Sequence, residues 1–126
     1  MIYFDQVSKI YDDESIALDN VTLQIEPHEF VSIVGHSGAG KTTLLKMLLA
    51  EDHATNGIVS FESSDIAELS KKDISELRRR IGVVFQDFRL LPNKTVSENV
   101  AFAMEVAGRL EEEINTSEKT LLDLNN

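Results

Sequence analysis

The residue run with the most specific chemistry is Gly35-His36-Ser37-Gly38-Ala39-Gly40-Lys41-Thr42. It fits G-x-x-x-x-G-K-[ST], the phosphate-binding P-loop. At roughly 7% glycine usage, a random chain of this length matches that pattern about a few times in a thousand. Gly35, Gly38 and Gly40 admit backbone conformations that a side chain forbids, so successive N–H groups can converge on phosphate oxygens. A helix beginning at the loop adds free N–H groups and the positive end of its dipole. Lys41 is placed to reach β- and γ-phosphates as a point charge, and the Thr42 hydroxyl suits a Mg²⁺ ion bridging them. The phosphate-binding set is therefore Gly35, His36, Ser37, Gly38, Ala39, Gly40, Lys41, Thr42 and Thr43. The plain alternative, a glycine turn beside an ordinary surface lysine, is disfavoured by that chance rate.

The flanks supply the elements the loop needs. Residues 30–34, Phe-Val-Ser-Ile-Val, predict a buried strand before it. Residues 43–49 predict a helix after it, with Leu44, Leu45, Leu48 and Leu49 as the buried stripe. Strand, glycine loop and helix in that order is the context the motif requires. Upstream, residues 2–7 and 16–18 are short strand candidates, and residues 21–25 alternate apolar and polar as a half-buried antiparallel strand does. Asp19-Asn20 and Pro27-His28 predict turns. Downstream, residues 51–56 read as a loop, 57–61 as a strand and 65–69 as a turn or short helix. Asp73, with Glu76 three positions on, predicts a capped helix start. Residues 81–85 predict a second apolar strand, ended by Gln86-Asp87. After a turn at Pro92-Asn93, Thr95 and Glu98 predict another capped helix, with Val96, Val100, Met104 and Ala107 as its packed face. Glu111 to Glu113 read as a solvated helix face.

Composition bounds what surrounds this site. The chain has 126 residues, one domain at most, and a formal net charge of −10. That balance argues against a nucleic-acid partner, whose phosphates attract a basic surface. Arg78-Arg79-Arg80 is the one basic cluster and ends a helical stretch, where cations suit the dipole. Cysteine is absent, which excludes disulfides and thiolate metal sites. His28, His36 and His53 lack ligand spacing. The first residues lack the basic and apolar regions of a signal peptide, and no apolar run approaches the roughly 20 residues of a membrane span. A reducing cytoplasm is the expected setting.

Residues 83–92, Val-Val-Phe-Gln-Asp-Phe-Arg-Leu-Leu-Pro, with Thr95-Val96 and Glu98-Asn99-Val100, resemble the Q-loop region of ABC-type ATPases. The P-loop wording resembles the same family's, and Phe4-Asp5-Gln6-Val7-Ser8-Lys9-Ile10-Tyr11 is similar to its opening strand and adenine-binding loop. Gln86-Asp87-Phe88-Arg89-Leu90-Leu91 and His36-Ser37-Gly38-Ala39 point to the cell-division branch of the family. The resemblance implies an α/β P-loop NTPase fold of the ABC ATPase type. It would comprise an antiparallel β subdomain, part of an α/β core and the start of a helical subdomain. Residues 1–126 would form the N-terminal part of one ATP-binding domain, with ATP and Mg²⁺ as ligands. It implies that Tyr11 stacks on adenine, and that Gln86 touches Mg²⁺ and the attacking water. Phe88, Leu90 and Leu91 would receive a helix of an integral membrane partner at the inner face of the plasma membrane, and the full-length protein would be a homodimer.

This sequence departs from the family pattern in places. His28 stands where glycine is usual, Thr42 replaces serine, and Ser97 stands where tyrosine is common. The signature motif, the Walker B carboxylates and the switch histidine are not in these residues. Hydrolysis is therefore expected of the parent protein rather than of this stretch, since Mg²⁺ and water lose their carboxylate partners. Reading residues 83–87 as a Walker B strand, with Asp87 on the metal, conflicts with the Q-loop match that follows. Leu121-Leu122-Asp123 lacks the long apolar strand a Walker B needs. The remaining functional alternatives are an ATPase subunit of a lipoprotein-release or macrolide exporter and a short, non-catalytic nucleotide-binding module. A P-loop kinase would carry an arginine-rich lid that is not seen. Without parallel neighbours, the strand before the P-loop is expected to expose an apolar edge.

Overall fold

Two hydrophobic alternations, each interrupted by a bulge, build the sheet. The computed structural model describes residues 1–87 and 89–109. β1 (Ile2–Ile10) lies between β2 (Ile16–Ile25) and β3 (Asn56–Phe61), and β4 (Ser64–Asp65) closes the order β2-β1-β3-β4. All pairs are antiparallel. Strict alternation would put Phe4 and Val7 on opposite faces, yet both are buried. The register shifts between them, and Gln6 takes a φ of 47°. β2 does the same at Asn20, whose φ is 50°. Asp19-Asn20 is thus a bulge inside one continuous strand and not a turn between two. Side-chain hydroxyls of the neighbouring strand take up the displaced N–H groups. Gln6 N–H donates to Thr22 Oγ1 at 3.1 Å, and Asn20 N–H to Ser8 Oγ at 2.9 Å. Gly57 of β3 meets the first bulge so closely that a Cβ there would lie 2.4 Å from the Asp5 carbonyl oxygen.

Helix α1 (Lys41–Leu48), a 3-10 turn at Ile66–Glu68 and helix α2 (Lys71–Arg80) complete the first unit, Met1–Ile81. Leu44 and Met47 of α1, Leu77 of α2 and Ile66 join Phe4, Val7, Leu18 and Val59 in one core. The buried face of α1 is Thr43, Leu44 and Met47, while Leu45 is exposed. Leu49 is also buried and Leu48 packs against the core, so of the expected stripe only Leu45 fails, and Met47 takes its place. Helix α2 starts earlier than expected: Ser70 is its cap and Asp73 closes a capping box three positions on. The arginine cluster divides by task. Arg78 donates to the carbonyls of Leu49 (2.8 Å) and Ala50 (3.2 Å), closing the end of α1, whereas Arg80 pairs with Glu62 and stands over the Phe61 ring.

The expected strands at 30–34 and 81–85 are absent as strands. Both runs lack regular secondary structure and have no ladder partner among the described residues. Phe30 is 93% exposed, Val34 87% and Val84 98%. A strand exists only where a neighbour takes its backbone hydrogen bonds, so apolar composition alone did not create one. The second unit begins at Gly82 and contains α3 (Val96–Val106), which has the expected Thr95–Glu98 capping box. Its face is not a buried core: Val96 and Ala107 are exposed, and Val100 and Met104 are half-buried. Glu111 to Glu113, Leu121 to Asp123 and Phe88 lie outside the described residues.

Candidate functional site

The glycine loop is held at its helix end. Gly40 has a φ of 81°, and a Cβ on it would lie 2.3 Å from the Ala17 carbonyl oxygen and 2.8 Å from Leu18 Cδ2. Only glycine meets both demands, so the loop packs directly on β2. Gly38 also has a φ of 81°. Gly35 needs no such conformation; a Cβ there would meet Ala39 Cβ at 3.0 Å. Ala39 N–H turns back to the His36 carbonyl at 3.2 Å, and His36 Nδ1 lies 2.7 Å from the Ser37 carbonyl oxygen. Lys41 Nζ donates to the carbonyls of Gly35 and His36, each at 2.7 Å. Its ammonium therefore lies folded across the loop.

The start of α1 differs from those of α2 and α3. Those helices each have a side-chain cap and an acidic residue in the first turn; α1 has neither. Among the described residues, no protein acceptor takes the backbone N–H of Ser37, Gly38, Gly40, Lys41, Thr42 or Thr43. Such groups, with the helix dipole behind them, form a receptacle for an anion. Thr42 is exposed, while Thr43 is buried. No group of three or more His, Cys, Asp or Glu among the described residues forms a metal cage. Within the first unit, a metal here would rest on the Thr42 hydroxyl and on the ligand's own oxygens.

Tyr11 is brought to this helix. It follows the last residue of β1 and is 37% exposed. Its hydroxyl donates to Asp52 Oδ2 at 3.2 Å and lies 3.5 Å from Thr43 Oγ1. Lys9 Nζ bonds the other Asp52 oxygen and the His53 carbonyl, and stands 5.0 Å from the Tyr11 ring centroid. The Lys9 ammonium, opposed by partial burial, holds the Asp52 carboxyl below its usual value, with the His53 N–H and the Tyr11 hydroxyl adding to the effect. Lys9 and Asp52 are residues the sequence did not single out. They are separated by 43 positions, and no local pattern connects them.

Gln86 belongs to the second unit, in an exposed turn with Asp87. Arg89 places its guanidinium 3.7 Å from the Phe85 ring centroid, which braces that turn. Leu90 and Leu91 are exposed. Asn99 fastens the backbone beside them: its Oδ1 accepts from Leu91 N–H at 2.7 Å, and its Nδ2 donates to the carbonyls of Leu91, Lys94 and Thr95.

A glycine loop feeding the uncapped N-terminus of a helix is the phosphate-binding part of the P-loop arrangement. The ABC transporter family model matches residues 18–125, and the chain belongs to that family. The cell division ATP-binding protein FtsE of Bacillus subtilis (strain 168) is 46% identical over 124 residues, covering 98% of this chain and 54% of that protein. FtsE of Escherichia coli (strain K12) is 40% identical over 98% of this chain and 55% of its own length. A dimeric ATP-binding cassette in a post-hydrolysis state, bound to ADP and Pi, superposes with a TM-score of 0.84. It is 34% identical and covers 98% of this chain and 56% of that one. The fold is thus that of the N-terminal part of an ABC ATPase. The chain spans about half the length of the curated relatives it matches.

Proposed function

We propose that this chain binds MgATP through its P-loop, as the N-terminal part of an FtsE-like ATPase. The observation that carries the reading is the uncapped start of α1: among the described residues its N–H groups have no protein acceptor, while the other two α-helices there have capping boxes. The N–H groups of residues 37–43 cradle the phosphates. Lys41 leaves the Gly35 and His36 carbonyls for the β- and γ-phosphates, Thr42 offers its hydroxyl to the metal, and Tyr11 stacks on the base. When bound, Mg²⁺ neutralises charge developing between the β- and γ-phosphates. Gln86 contributes its amide to the metal and orients water, a task suited to a neutral group that both donates and accepts. In the complete protein, this site works in a homodimer that hydrolyses ATP. Residues 88–91 dock the membrane protein FtsX during cell division, at the inner face of the plasma membrane. Similarity to FtsE of Bacillus subtilis, Streptococcus pneumoniae and Escherichia coli supports that wider role.

Calorimetry on the Lys41→Ala variant tests the reading. Loss of a charge-assisted contact worth about 1.5–3 kcal/mol weakens MgATP binding by about tenfold or more. Unchanged affinity would contradict it.

A further inference from the structure

We propose that Lys9 and Asp52 form a latch that positions the Tyr11 ring for the nucleotide base; the inference rests on the nucleotide reading above. Tyr11 lies just past the end of β1, where no ladder fixes it. Two backbone bonds hold its main chain, Tyr11 N–H to the Ser15 carbonyl (3.0 Å) and Glu14 N–H to the Tyr11 carbonyl (2.9 Å). Neither bond sets the direction of the ring. The hydroxyl does so. An ionised carboxylate only accepts, so the phenol gives its single proton to Asp52 Oδ2 at 3.2 Å. The remaining 3.5 Å contact then has the Thr43 hydroxyl as donor. Thr43 is in the first turn of α1, so the ring is tied to the helix end that meets the phosphates.

Asp52 is itself immobilised. Lys9 Nζ holds its second oxygen and is anchored on the His53 carbonyl at 2.8 Å, and the His53 N–H donates to Asp52 Oδ1 at 2.8 Å. The Lys9 and Asp52 side chains are only 14% and 22% exposed, so the pair is less screened than a surface ion pair. The Lys9 ammonium stands over one face of the Tyr11 ring, and the base takes the other. Lys9 and Asp52 are positioning residues, acting on the base through Tyr11. A tie that only fastened the segment after α1 to β1 would affect every ligand alike.

The test compares MgATP with inorganic triphosphate plus Mg²⁺, both measured by calorimetry on the whole protein. Asp52→Ala is expected to weaken MgATP binding by about tenfold, within the range of a base–aromatic stack, and to leave triphosphate binding unchanged. Tyr11→Phe, which keeps the ring and removes the hydroxyl, is expected to act in the same direction. It also answers the question if Asp52→Ala does not fold. The double variant is expected to lose no more than the larger single loss, because both changes break one bond. Equal loss of MgATP and triphosphate binding, unchanged MgATP affinity in Tyr11→Phe, or additive losses would overturn the latch. A wild-type protein that binds neither ligand would instead overturn the nucleotide reading on which the latch rests.

Discussion

At Gly40 a single hydrogen atom decides whether the P-loop can rest against the sheet. A methyl group there would collide with the Ala17 carbonyl and require a left-handed conformation as well. His28 shows the opposite case. It is the third residue of a turn closed by Glu29 N–H to the Glu26 carbonyl at 3.2 Å, follows Pro27, and has a φ of 66°. Proline followed by a positive φ is the pattern of a type II turn, which favours glycine at that position. His28→Gly is therefore expected to stabilise the protein by about 0.5–1 kcal/mol. The gain is the strain removed less the entropy glycine loses on folding. Chemical denaturation measures it, and a midpoint that falls would contradict the turn assignment. At this scale much of the candidate site was legible, because a phosphate cradle would demand particular residue types at fixed spacing. Lys9 and Asp52 were not, because their meaning comes from a contact that only the fold creates.

Among elements, the strands at 2–7, 21–25 and 57–61 were legible in the sequence and the start of α2 was set three residues too late, since Ser70 rather than Asp73 is its cap. The Thr95–Glu98 box was readable because cap and helix lie within one turn. The runs at 30–34 and 81–85 have strand composition, but their state depends on a distant neighbour, and no pairing strand is found among the described residues. The bulge at Asn20 imitated a turn because both use a left-handed residue. The capping box also gives α3 a pH dependence. The Thr95 backbone N–H first, then Lys94 and the Thr95 side chain, hold the Glu98 carboxyl below its usual 4.5. A lowered folded-state value stabilises the helix above the unfolded value and ceases to do so as pH falls through the folded one. Amide exchange, corrected for its intrinsic pH dependence, is expected to show α3 losing protection below about pH 4.5. Thr95→Ala is expected to lower protection at neutral pH by about 1 kcal/mol. Protection in α3 that is indifferent to both changes would contradict the cap's role.

For the whole molecule, charge and site must be reconciled. A chain with a net charge of −10 repels a triphosphate at long range. For the proposed MgATP binding, local geometry would therefore have to supply the attraction, through oriented N–H groups, one helix dipole and Lys41. That division of labour separates the start of α1 from every other part of the described surface, and it predicts where a bound nucleotide will be felt. The most direct measurement is the ¹⁵N–¹H spectrum of the protein titrated with MgATP. The expected result is that the amides of Gly38, Gly40, Lys41, Thr42 and Thr43 move most and farthest downfield, as N–H groups do on donating to phosphate. Saturable binding that leaves these amides in place, with the large shifts elsewhere, would contradict the central claim that this loop is the nucleotide site.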